Sequence, residues 1–440
     1  MRITIIGAGY VGLVAAVCLA KLGHIVTAVD REHVVQDLQD NHLSIWESNL
    51  FDMLVISRSE GKLLFATDLI QASAGADALM IAVGTPTRED GQSDLSQVEH
   101  VAAQLFAAGS CPPLVIMKST VPVGTCDKLE QSLQAAGIRT EVAFNPEFLR
   151  QGSAVKDFMH PDRIVFGCHS RQAEAKLRQL YHGIDAPIQV CDRRSAELIK
   201  YASNAFLAMK ISFANMISDV CEGYEADIRQ VMEGVGADRR IGPHFLQAGL
   251  GYGGSCFSKD LQSLLTSGKA IGRSLPLLEA TAQINEERIP QMMDKLIALW
   301  GNPRGKRLGV LGISFKPQTN DVRDAPFLTL VQLCHLYGID VQAYDPVVQH
   351  LSMKGVTQVD SAFEVSAGAD AVIILTEWPQ FIELNWVLMV QLMNQRILLD
   401  GRNILSDAMI ARLITQEDVV YIPVGRPVVH SEEHDLEQAR

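Results

Sequence analysis

The sequence predicts an α/β protein with two domains, each built on a parallel sheet, and a long central helix that joins them. Three observations support this fold class. Short apolar, β-rich runs alternate with helical patterns at 2–6, 25–30, 78–83, 113–119, 142–145 and 163–166. A proline-free segment at 195–222 has apolar residues at helical spacing, and strand-like runs return at 308–311, 341–344, 371–376 and 397–400. Such alternation is typical of βαβ units.

The length of 440 residues exceeds what one hydrophobic core normally supports, and so favours several domains. We expect an N-terminal α/β domain at 1–194 and a central helical region at 195–302. A second α/β domain is expected at 303–425, followed by a polar tail at 426–440 that is free to fray.

The composition argues against several classes of function. A net charge of −13 without a basic stripe argues against nucleic acid or an anionic membrane surface as a partner. The eight cysteines show no metal-ligand spacing, which disfavours a metal site and a disulfide framework and suits a reducing, cytoplasmic location. The first 20 residues superficially resemble a signal peptide, but their glycine spacing favours strand, turn and helix. No apolar run reaches the roughly 18 residues that a membrane span requires.

The first chemical motif is GAGYVG at 7–12, which follows one predicted strand and opens a helix. Its glycines allow a tight turn and a close approach to a pyrophosphate, and Asp30 after the next strand can bind ribose hydroxyls. The motif therefore predicts a Rossmann-like domain that binds a dinucleotide. The carboxylate favours NAD over NADP because it repels a 2′-phosphate. The predicted cofactor residues of this motif are Gly7, Gly9, Val11, Gly12 and Asp30.

Three further loops follow predicted strands of the first domain, where open α/β sheets place ligands. They are 83–87 with Thr85, 119–122 with Thr120, and 145–150 with Glu147. Ordinary turn chemistry also accounts for the first two loops taken alone. Glu147 places a carboxylate at the same edge, where it can act as a base toward water.

The segment GYGGSCFSKD at 251–260 contains Cys256 in a glycine-rich, charged setting. Lys259 beside it favours the thiolate, which is the nucleophilic form of cysteine. We therefore predict that Cys256 is reactive. The other seven cysteines are expected to be inert, buried side chains.

Lys200 and Asn204 lie four residues apart and therefore on one face of the predicted long helix. If this helix passes the ligand edge, the lysine can assist proton transfer or stabilise an oxyanion. Exposed pairs at this spacing are commonly just solvated. An apolar stripe on the same helix needs covering, which suits either a spine between the two α/β regions or a dimer interface.

Taken together, these motifs resemble the UDP-glucose/GDP-mannose dehydrogenase family from residue 1 to about residue 425. The motifs occur in the family's order: GAGYVG, STVPVGT, NPEFLRQGSA, ELIKYASNAFLAMKISFAN, GYGGSCFSKD, GISFKPQTNDVRDAP, AYDP, TEW and DGRN. The resemblance implies two Rossmann-like domains with parallel sheets and a homodimer formed through the central helix. It also implies oxidation of UDP-glucose at C6 to UDP-glucuronate with two NAD reduced, through a thiohemiacetal and a thioester of Cys256.

The resemblance assigns site residues by motif. The implied catalytic residues are Cys256, Lys200, Asn204, Glu147, Thr120 and Asp260. The implied cofactor contacts beyond the first motif are Thr85, Thr120, Glu147, Lys259 and Arg323. The implied substrate contacts are Phe148, Leu149, Gln151, Lys200, Asn204, Arg240, Phe245, Leu246, Gln247, Ala248, Gly249, Gly253, Lys316 and Arg402, with Arg240 lent by the neighbouring subunit.

Some positions depart from the family pattern, and other functions stay open at this stage. Gln151 stands where many members have a second glutamate, Ser258 replaces a common proline and Met216 a common glutamate. The same chemistry on GDP-mannose or a UDP-N-acetylhexosamine is a close alternative. A two-electron hydroxyacid dehydrogenase and a redox-sensing nucleotide-binding module are more distant ones.

Overall fold

The computed structural model describes residues 1–43 and 45–430. The chain forms two compact units. The first comprises Met1–Ser203 and Gln262–Ser274, and the second comprises Asn204–Leu261 and the described residues from Leu275 onward. The domain boundaries expected at 194, 302 and 425 remain a prediction. Most of the predicted frayed tail, residues 431–440, lies outside the described residues.

The first unit is built on an eight-stranded sheet. Its strands are β1 (Arg2–Ile6), β2 (Ile25–Val29), β3 (Leu63–Ala66), β4 (Ala78–Ile81), β5 (Leu114–Met117), β6 (Glu141–Phe144), β7 (Ile164–Gly167) and β8 (Ile188–Cys191). They pair in the order β3-β2-β1-β4-β5-β6-β7-β8. The first six strands are parallel. The pair β7–β8 runs antiparallel to them and joins β6 through one residue pair, Phe144 and Gly167.

Helices connect these strands and cover both faces of the sheet. They are α1 (Tyr10–Lys21), α2 (Glu32–Gln39), α3 (Leu50–Ser59), α4 (Leu69–Ser73), α5 (Ser96–Ala108), α6 (Thr125–Ala135), α7 (Ala154–Met159) and α8 (Arg171–Leu180). Alternate residues of the central strands enter different cores. Ile3 and Met80 join the core that contains α1, whereas Ile6 and Ile81 join the core on the other face. Burial on both faces explains why these strands are almost entirely apolar.

The predicted long helix is confirmed as α9 (Arg193–Gly223), a helix of 31 residues. Three more helices follow it: α10 (Ile228–Gly236), α11 (Phe257–Ala270) and α12 (Pro276–Trp300). Cys256 immediately precedes α11. Among the described residues, no helix is long and apolar enough to cross a membrane.

The second unit contains a six-stranded, fully parallel sheet. Its strands are β9 (Arg307–Leu311), β10 (Asp340–Tyr344), β11 (Val356–Gln358), β12 (Ala371–Ile374), β13 (Ile397–Asp400) and β14 (Val420–Pro423). They pair in the order β11-β10-β9-β12-β13-β14. The connecting helices are α13 (Pro326–Tyr337), α14 (Ala362–Ser366), α15 (Pro379–Ile382), α16 (Trp386–Gln391) and α17 (Asp407–Glu417).

Both sheets have the strand order of a dinucleotide-binding fold, which confirms the predicted class. The order reverses between β1 and β4 in the first sheet and between β9 and β12 in the second. In such sheets, ligands bind outside the carboxyl ends of the strands at the point of reversal. Four strands were not predicted from the apolar runs of the sequence: β3, β8, β11 and β14. All four are edge strands: β3 and β8 end the first sheet, and β11 and β14 end the second.

A pair of glycine substitutions tests the packing of the second unit. A Cβ on Gly309, in β9, would lie 2.5 Å from the carbonyl oxygen of Val365, so Gly309→Ala should lower the free energy of unfolding by about 1–3 kcal/mol. Gly234 lies inside α10 with no described atom within 4 Å of such a Cβ. Gly234→Ala should therefore raise the free energy of unfolding by about 0.5–1 kcal/mol. Urea denaturation of both variants measures these changes, and shifts of the same sign would contradict the packing.

Candidate active site

The turn after β1 has the geometry of a pyrophosphate-binding loop. Gly7 has a φ of +94°, and a Cβ there would lie 2.7 Å from the carbonyl oxygen of Ala82. A Cβ on Gly12 would collide with the carbonyl oxygen of Gly7. A Cβ on Gly9, which precedes α1, would meet no described atom within 4 Å. Packing therefore requires glycine at 7 and 12, whereas glycine at 9 leaves the helix N-terminus open to a phosphate group.

Asp30 lies at the end of β2, where the motif predicts a ribose contact. Its carboxylate accepts hydrogen bonds from the backbone N–H groups of Ala8 (2.6 Å) and Arg31 (2.7 Å). These bonds hold the carboxylate beside the glycine turn. Each carboxylate oxygen keeps a further lone pair that can accept a bond from a ribose hydroxyl. The residues present therefore fit a dinucleotide.

The loops after β4 and β5 are tied together. The Thr85 hydroxyl donates a hydrogen bond to the backbone carbonyl of Thr120 (2.8 Å). The Ser119 hydroxyl donates to the carbonyl of Val83 (2.7 Å). Two of the predicted cofactor residues, Thr85 and Thr120, are thus brought together at the carboxyl edge of the first sheet.

Glu147 and Lys200 form a buried ion pair. The Lys200 ammonium donates to the Glu147 carboxylate (2.7 Å) and to the Glu147 carbonyl (2.8 Å), and Lys200 is only 3 % exposed. Burial favours a raised pKa for Glu147, but the Lys200 charge and the N–H of Leu149 overcome this effect and lower the pKa of Glu147. Phe148 lies between Arg163 and Lys200, with its ring centroid 4.1 Å and 5.6 Å from the two cationic groups.

Lys118 is a buried cation that the sequence analysis missed. Its ammonium donates to the Asn145 side-chain oxygen (3.0 Å) and to the Tyr181 hydroxyl (3.1 Å). Burial lowers the pKa of Lys118 to about 8, opposed by the Glu147 charge and reinforced by that of Lys200. It lines a cavity of about 300 Å³ together with Glu147 and Phe148. A lysine directly after an apolar strand was the available signal.

Cys256 differs from the other cysteines in its exposure. It is exposed and occupies the N-terminus of α11, where its carbonyl accepts a hydrogen bond from the N–H of Asp260 (2.9 Å). The free N–H groups of a helix N-terminus stabilise a thiolate. Burial raises the pKa of each of the other seven thiols: Cys18, Cys111, Cys126, Cys168, Cys191, Cys221 and Cys334.

The charges near Cys256 are arranged differently from the expectation. The Lys259 ammonium pairs with the Asp260 carboxylate at 2.6 Å, so its charge is largely offset. Asp260 is 1 % exposed and also accepts a hydrogen bond from the Asn204 amide (2.6 Å). Arg323 is a second cation close to the cysteine. Its pKa is raised first by its hydrogen bonds to Asp321 and further by the negative charges of Asp321 and of the Cys256 thiolate.

The two glycines before Cys256 pack tightly against the loop that carries Arg323. The N–H of Gly254 donates to the carbonyl of Arg323 (3.0 Å). A Cβ on Gly253 would collide with the carbonyl oxygen of Asp324, and one on Gly254 would lie 2.7 Å from the Phe315 ring. Only glycine allows this approach, which fixes the chain two residues before the thiol.

A cavity of about 800 Å³ lies in the second unit. Seven of the predicted substrate residues line it: Phe245, Leu246, Gln247, Ala248, Gly253, Lys316 and Arg402. Its size suits a nucleotide-sized ligand, and Lys316 and Arg402 supply positive charge. Arg402 is held in place by the carbonyls of Leu375 (2.7 Å) and Gly251 (3.1 Å).

Not all predicted substrate residues reach this cavity. Gly249 turns its N–H to Asn215 instead, and Arg240 is an exposed residue paired with Asp238. Phe148, Leu149, Gln151 and Lys200 lie in the first unit, and Asn204, in the second unit, does not line the cavity. Lining residues that the sequence analysis missed include Arg229, Glu233, His244, Tyr252, Glu377 and Asn403. Tyr252, Glu377 and Asn403 belong to the motifs GYGGSCFSKD, TEW and DGRN, which were the available signal, whereas no quoted motif contains Arg229, Glu233 or His244.

Comparison with protein families assigns three consecutive segments to one family. Residues 1–185 match the model described as UDP-glucose/GDP-mannose dehydrogenase family, NAD binding domain. Residues 194–287 match the central domain of that family, and residues 309–407 match its UDP binding domain. The first unit thus has an NAD-binding domain, and the predicted cofactor, NAD, is confirmed.

Individual relatives cover almost the whole chain. A UDP-glucose 6-dehydrogenase from Rhizobium meliloti is 40 % identical over 97 % of this chain and 100 % of its own. The UDP-glucose 6-dehydrogenase TuaD from Bacillus subtilis is 39 % identical over 98 % of this chain and 95 % of its own. The solved UDP-glucose dehydrogenase from Pyrobaculum islandicum is 38 % identical, with a TM-score of 0.86 over 92 % of this chain and 94 % of its own.

The lowered pKa of Lys118 predicts a pH-dependent contribution to stability. Between about pH 8 and pH 10.5 the unfolded chain retains a lysine proton that the folded chain has lost, so the free energy of unfolding rises with pH across this window. Relative to Lys118→Met, the wild type should gain roughly 3 kcal/mol across it. Urea denaturation at several pH values measures the difference.

Lys128→Met, at an exposed position of α6, is the matched control and should leave the difference from the wild type unchanged over the same window. A difference between wild type and Lys118→Met that stays constant with pH would contradict the burial of a titrating ammonium.

Proposed function

This chain belongs to the UDP-glucose/GDP-mannose dehydrogenase family, as its motifs predict, and we propose that it oxidises UDP-glucose at C6 to UDP-glucuronate in a four-electron reaction. It is an NAD-dependent oxidoreductase. One observation carries the proposal of a covalent mechanism. Gly253 and Phe257, on either side of Cys256, both line the 800 Å³ cavity, so the exposed thiol belongs to the segment that borders this cavity.

The choice of UDP-glucose rests on the relatives and on the charge of the cavity. The curated relatives that are 39–40 % identical to this chain are named UDP-glucose 6-dehydrogenases. Lys316 and Arg402 are two of the cations that line the cavity, where a diphosphate would meet them. A solved UDP-N-acetylmannosamine dehydrogenase from Pyrococcus horikoshii is more distant, at 27 % identity and a TM-score of 0.86 over 97 % of this chain and 99 % of its own.

The proposed role of Cys256 is to carry the substrate through the second oxidation. Bound NAD supplies a hydride acceptor for C6 in each oxidation step. The Cys256 thiolate adds to the C6 aldehyde, and the carbonyl oxygen takes the electron pair and a proton, which gives a thiohemiacetal. Its oxidation leaves a thioester. Water then attacks the thioester carbonyl, the C–S bond breaks, and the carboxylate is released with the thiol regenerated.

The neighbouring residues are proposed to stabilise charge in these steps. Lys200 and Asn204, one turn apart on α9, donate hydrogen bonds to the oxyanions that develop at C6. Glu147 holds Lys200, and Asp260 holds Asn204. The lowered pKa of Glu147 makes it a weak base, so we assign it the orientation of Lys200 ahead of proton abstraction from water. Asp260 and Thr120 are proposed to hold the water that accepts protons.

We also propose a homodimer formed through α9. Phe206, Phe213 and Val220 are exposed by 42–57 % and share one face of α9, and Tyr224, exposed by 84 %, directly follows the helix. An exposed apolar stripe of this length is unusual on a monomer and suits a second copy of the chain. The exposed Arg240 is then available to a neighbouring subunit.

The proposed location is the cytoplasm. All eight cysteines are free in the structure, including the exposed Cys256, whose thiolate chemistry requires a reducing compartment.

The ratio of NADH formed to UDP-glucose consumed tests the reaction. We expect two NADH per UDP-glucose for the wild type, because both oxidation steps occur before release. Cys256→Ser should lose at least about 10³-fold in kcat, since a hydroxyl at this position lacks an activating base. Cys191→Ser is the matched control and should behave as the wild type. One NADH per UDP-glucose, with an active Cys256→Ser, would instead indicate a two-electron dehydrogenase.

Parallel assays with GDP-mannose, UDP-N-acetylglucosamine and UDP-N-acetylmannosamine test the substrate. Turnover of UDP-glucose at a kcat/KM at least about tenfold above the others supports the proposal, since this corresponds to roughly 1.4 kcal/mol of discrimination. A preference for another sugar would overturn the substrate and leave the chemistry in place. NAD binding without turnover of any sugar would indicate a binding module.

Phe213→Glu tests the dimer. A charge in the centre of the apolar stripe should convert the dimer into a monomer at micromolar concentration, because a buried unpaired carboxylate is costly. Light scattering coupled to size-exclusion chromatography measures the mass. Leu336→Glu, at an exposed apolar residue of α13, should leave the mass unchanged. A wild type that is already monomeric would contradict the proposal.

A further inference from the structure

We propose that Asn285, with Asn215 and Arg288, positions Cys256 by fixing the backbone of residues 249–252, a role that rests on the covalent function proposed above. These three side chains are called the loop clamp. Asn215 lies on α9, and Asn285 and Arg288 lie one turn apart on α12. All three belong to the second unit, as does the segment that they hold.

Asn285 binds Tyr252 in the way a neighbouring strand would. Its side-chain oxygen accepts a hydrogen bond from the N–H of Tyr252 (2.8 Å), and its amide nitrogen donates to the carbonyl of Tyr252 (3.1 Å). The same oxygen would lie 2.7 Å from a Cβ on Gly251, where φ is +89°. The amide therefore approaches the loop as closely as the glycine permits. Both backbone groups of one residue are satisfied by one side chain.

Arg288 and Asn215 hold the other end of the segment. The Arg288 guanidinium donates to the carbonyl of Gly249 (3.3 Å) and is anchored on α9 by Asp219 (2.6 Å). The Asn215 side-chain oxygen accepts from the N–H of Gly249 (2.8 Å). Asn215 is fully buried, and its amide nitrogen has no hydrogen-bond partner among the described residues. The hydrogen bond to Gly249 is therefore the interaction that offsets the cost of burying the Asn215 amide.

The clamp leaves few degrees of freedom between the held backbone and the thiol. Gly254 is fixed by its bond to Arg323, so only Ser255 separates the held chain from Cys256. On the other side of the cysteine, the Phe257 ring packs edge-on against Tyr252, with centroids 5.7 Å apart. A change at Asn285 that displaces Tyr252 therefore affects Cys256 in two ways, through the backbone that precedes the cysteine and through the Phe257 ring that follows it. We infer that the clamp sets where the sulfur sits relative to the α11 N-terminus.

The test compares Asn285→Ala with Gln283→Ala, an exposed position on the same helix. Steady-state kinetics with UDP-glucose and NAD give kcat and both KM values. Alkylation of Cys256 by iodoacetamide as a function of pH, followed by peptide mass spectrometry, reports the reactivity of the thiol without any turnover. Thermal unfolding shows whether each variant is folded at the assay temperature.

We expect Asn285→Ala to lower kcat by about 10- to 100-fold, because small displacements of a reacting group have effects of this size. The KM for NAD should stay within about twofold, since the glycine turn at 7–12 and Asp30, the predicted pyrophosphate and ribose contacts, belong to the first unit. The pH dependence of alkylation should move upward as the thiolate loses its place at the helix N-terminus. Gln283→Ala should match the wild type in all three measurements.

A folded Asn285→Ala with wild-type kcat and a wild-type alkylation profile, and only a lower unfolding temperature, would overturn the clamp. If Asn285→Ala does not fold, two conservative variants replace it. Asn285→Asp retains the acceptor for Tyr252 but loses the donor, and Arg288→Lys retains the charge opposite Asp219 but loses the Nε donor to the carbonyl of Gly249. Both should show smaller shifts in the same direction, and no shift in either would be equally decisive against the clamp.

Failure of the proposed function is distinguishable from failure of the clamp. If the wild type forms no NADH from any of the four nucleotide sugars, the function falls, while a shifted alkylation profile in Asn285→Ala still supports the positioning of Cys256. If the wild type forms two NADH and the Cys256 thiol of the variants is alkylated as in the wild type, the proposed function is supported and the clamp is contradicted.

Discussion

Carboxylates near the carboxyl ends of the strands hold the loops that carry the functional side chains. Asp30, Glu147 and Asp345 follow strands, Asp400 is the last residue of β13, and all four accept hydrogen bonds from backbone N–H groups of these loops. Such charge-assisted bonds are short and strong, and burial strengthens them further. The two sheets supply only the edge at which the loops emerge. The carboxylates fix the shape of each loop through hydrogen bonds within the chain. The glycine turn, the position of Glu147 beside Lys200 and the loops of the second unit therefore do not depend on a bound ligand for their shape.

Whether a strand could be predicted from the sequence depends on how fully the strand is buried. The central strands were predicted because burial on both faces makes them continuous apolar runs, as in β4 and β5. The strands β3 and β8, at the two edges of the first sheet, are half-exposed and lack that signature. The reversed direction of β7 and β8 was not predictable. It depends on a single pairing between Phe144 and Gly167, which no local pattern announces.

Site residues were predicted where the interacting residues are close together in the sequence. The glycine turn, Asp30 and the Cys256 segment are local motifs, and their geometry follows from neighbouring residues. Lys118 and Asn285 were missed because their partners lie 27–63 and 33 residues away, so their function depends on the folded chain. The expected effect of Lys259 on the thiol illustrates the same limit. Adjacency in sequence suggested a cation beside sulfur, whereas the folded chain pairs that cation with Asp260.

The most direct test of the account is a search for the substrate bound to Cys256. Wild-type protein mixed with UDP-glucose and NAD is quenched in acid within one turnover, and the peptide that contains Cys256 is examined by mass spectrometry. We predict a UDP-glucuronyl thioester on this peptide, which disappears when NAD is omitted and is cleaved by hydroxylamine. Unmodified Cys256 throughout the first turnover, in a protein that still forms two NADH per UDP-glucose, would contradict a covalent role for this cysteine.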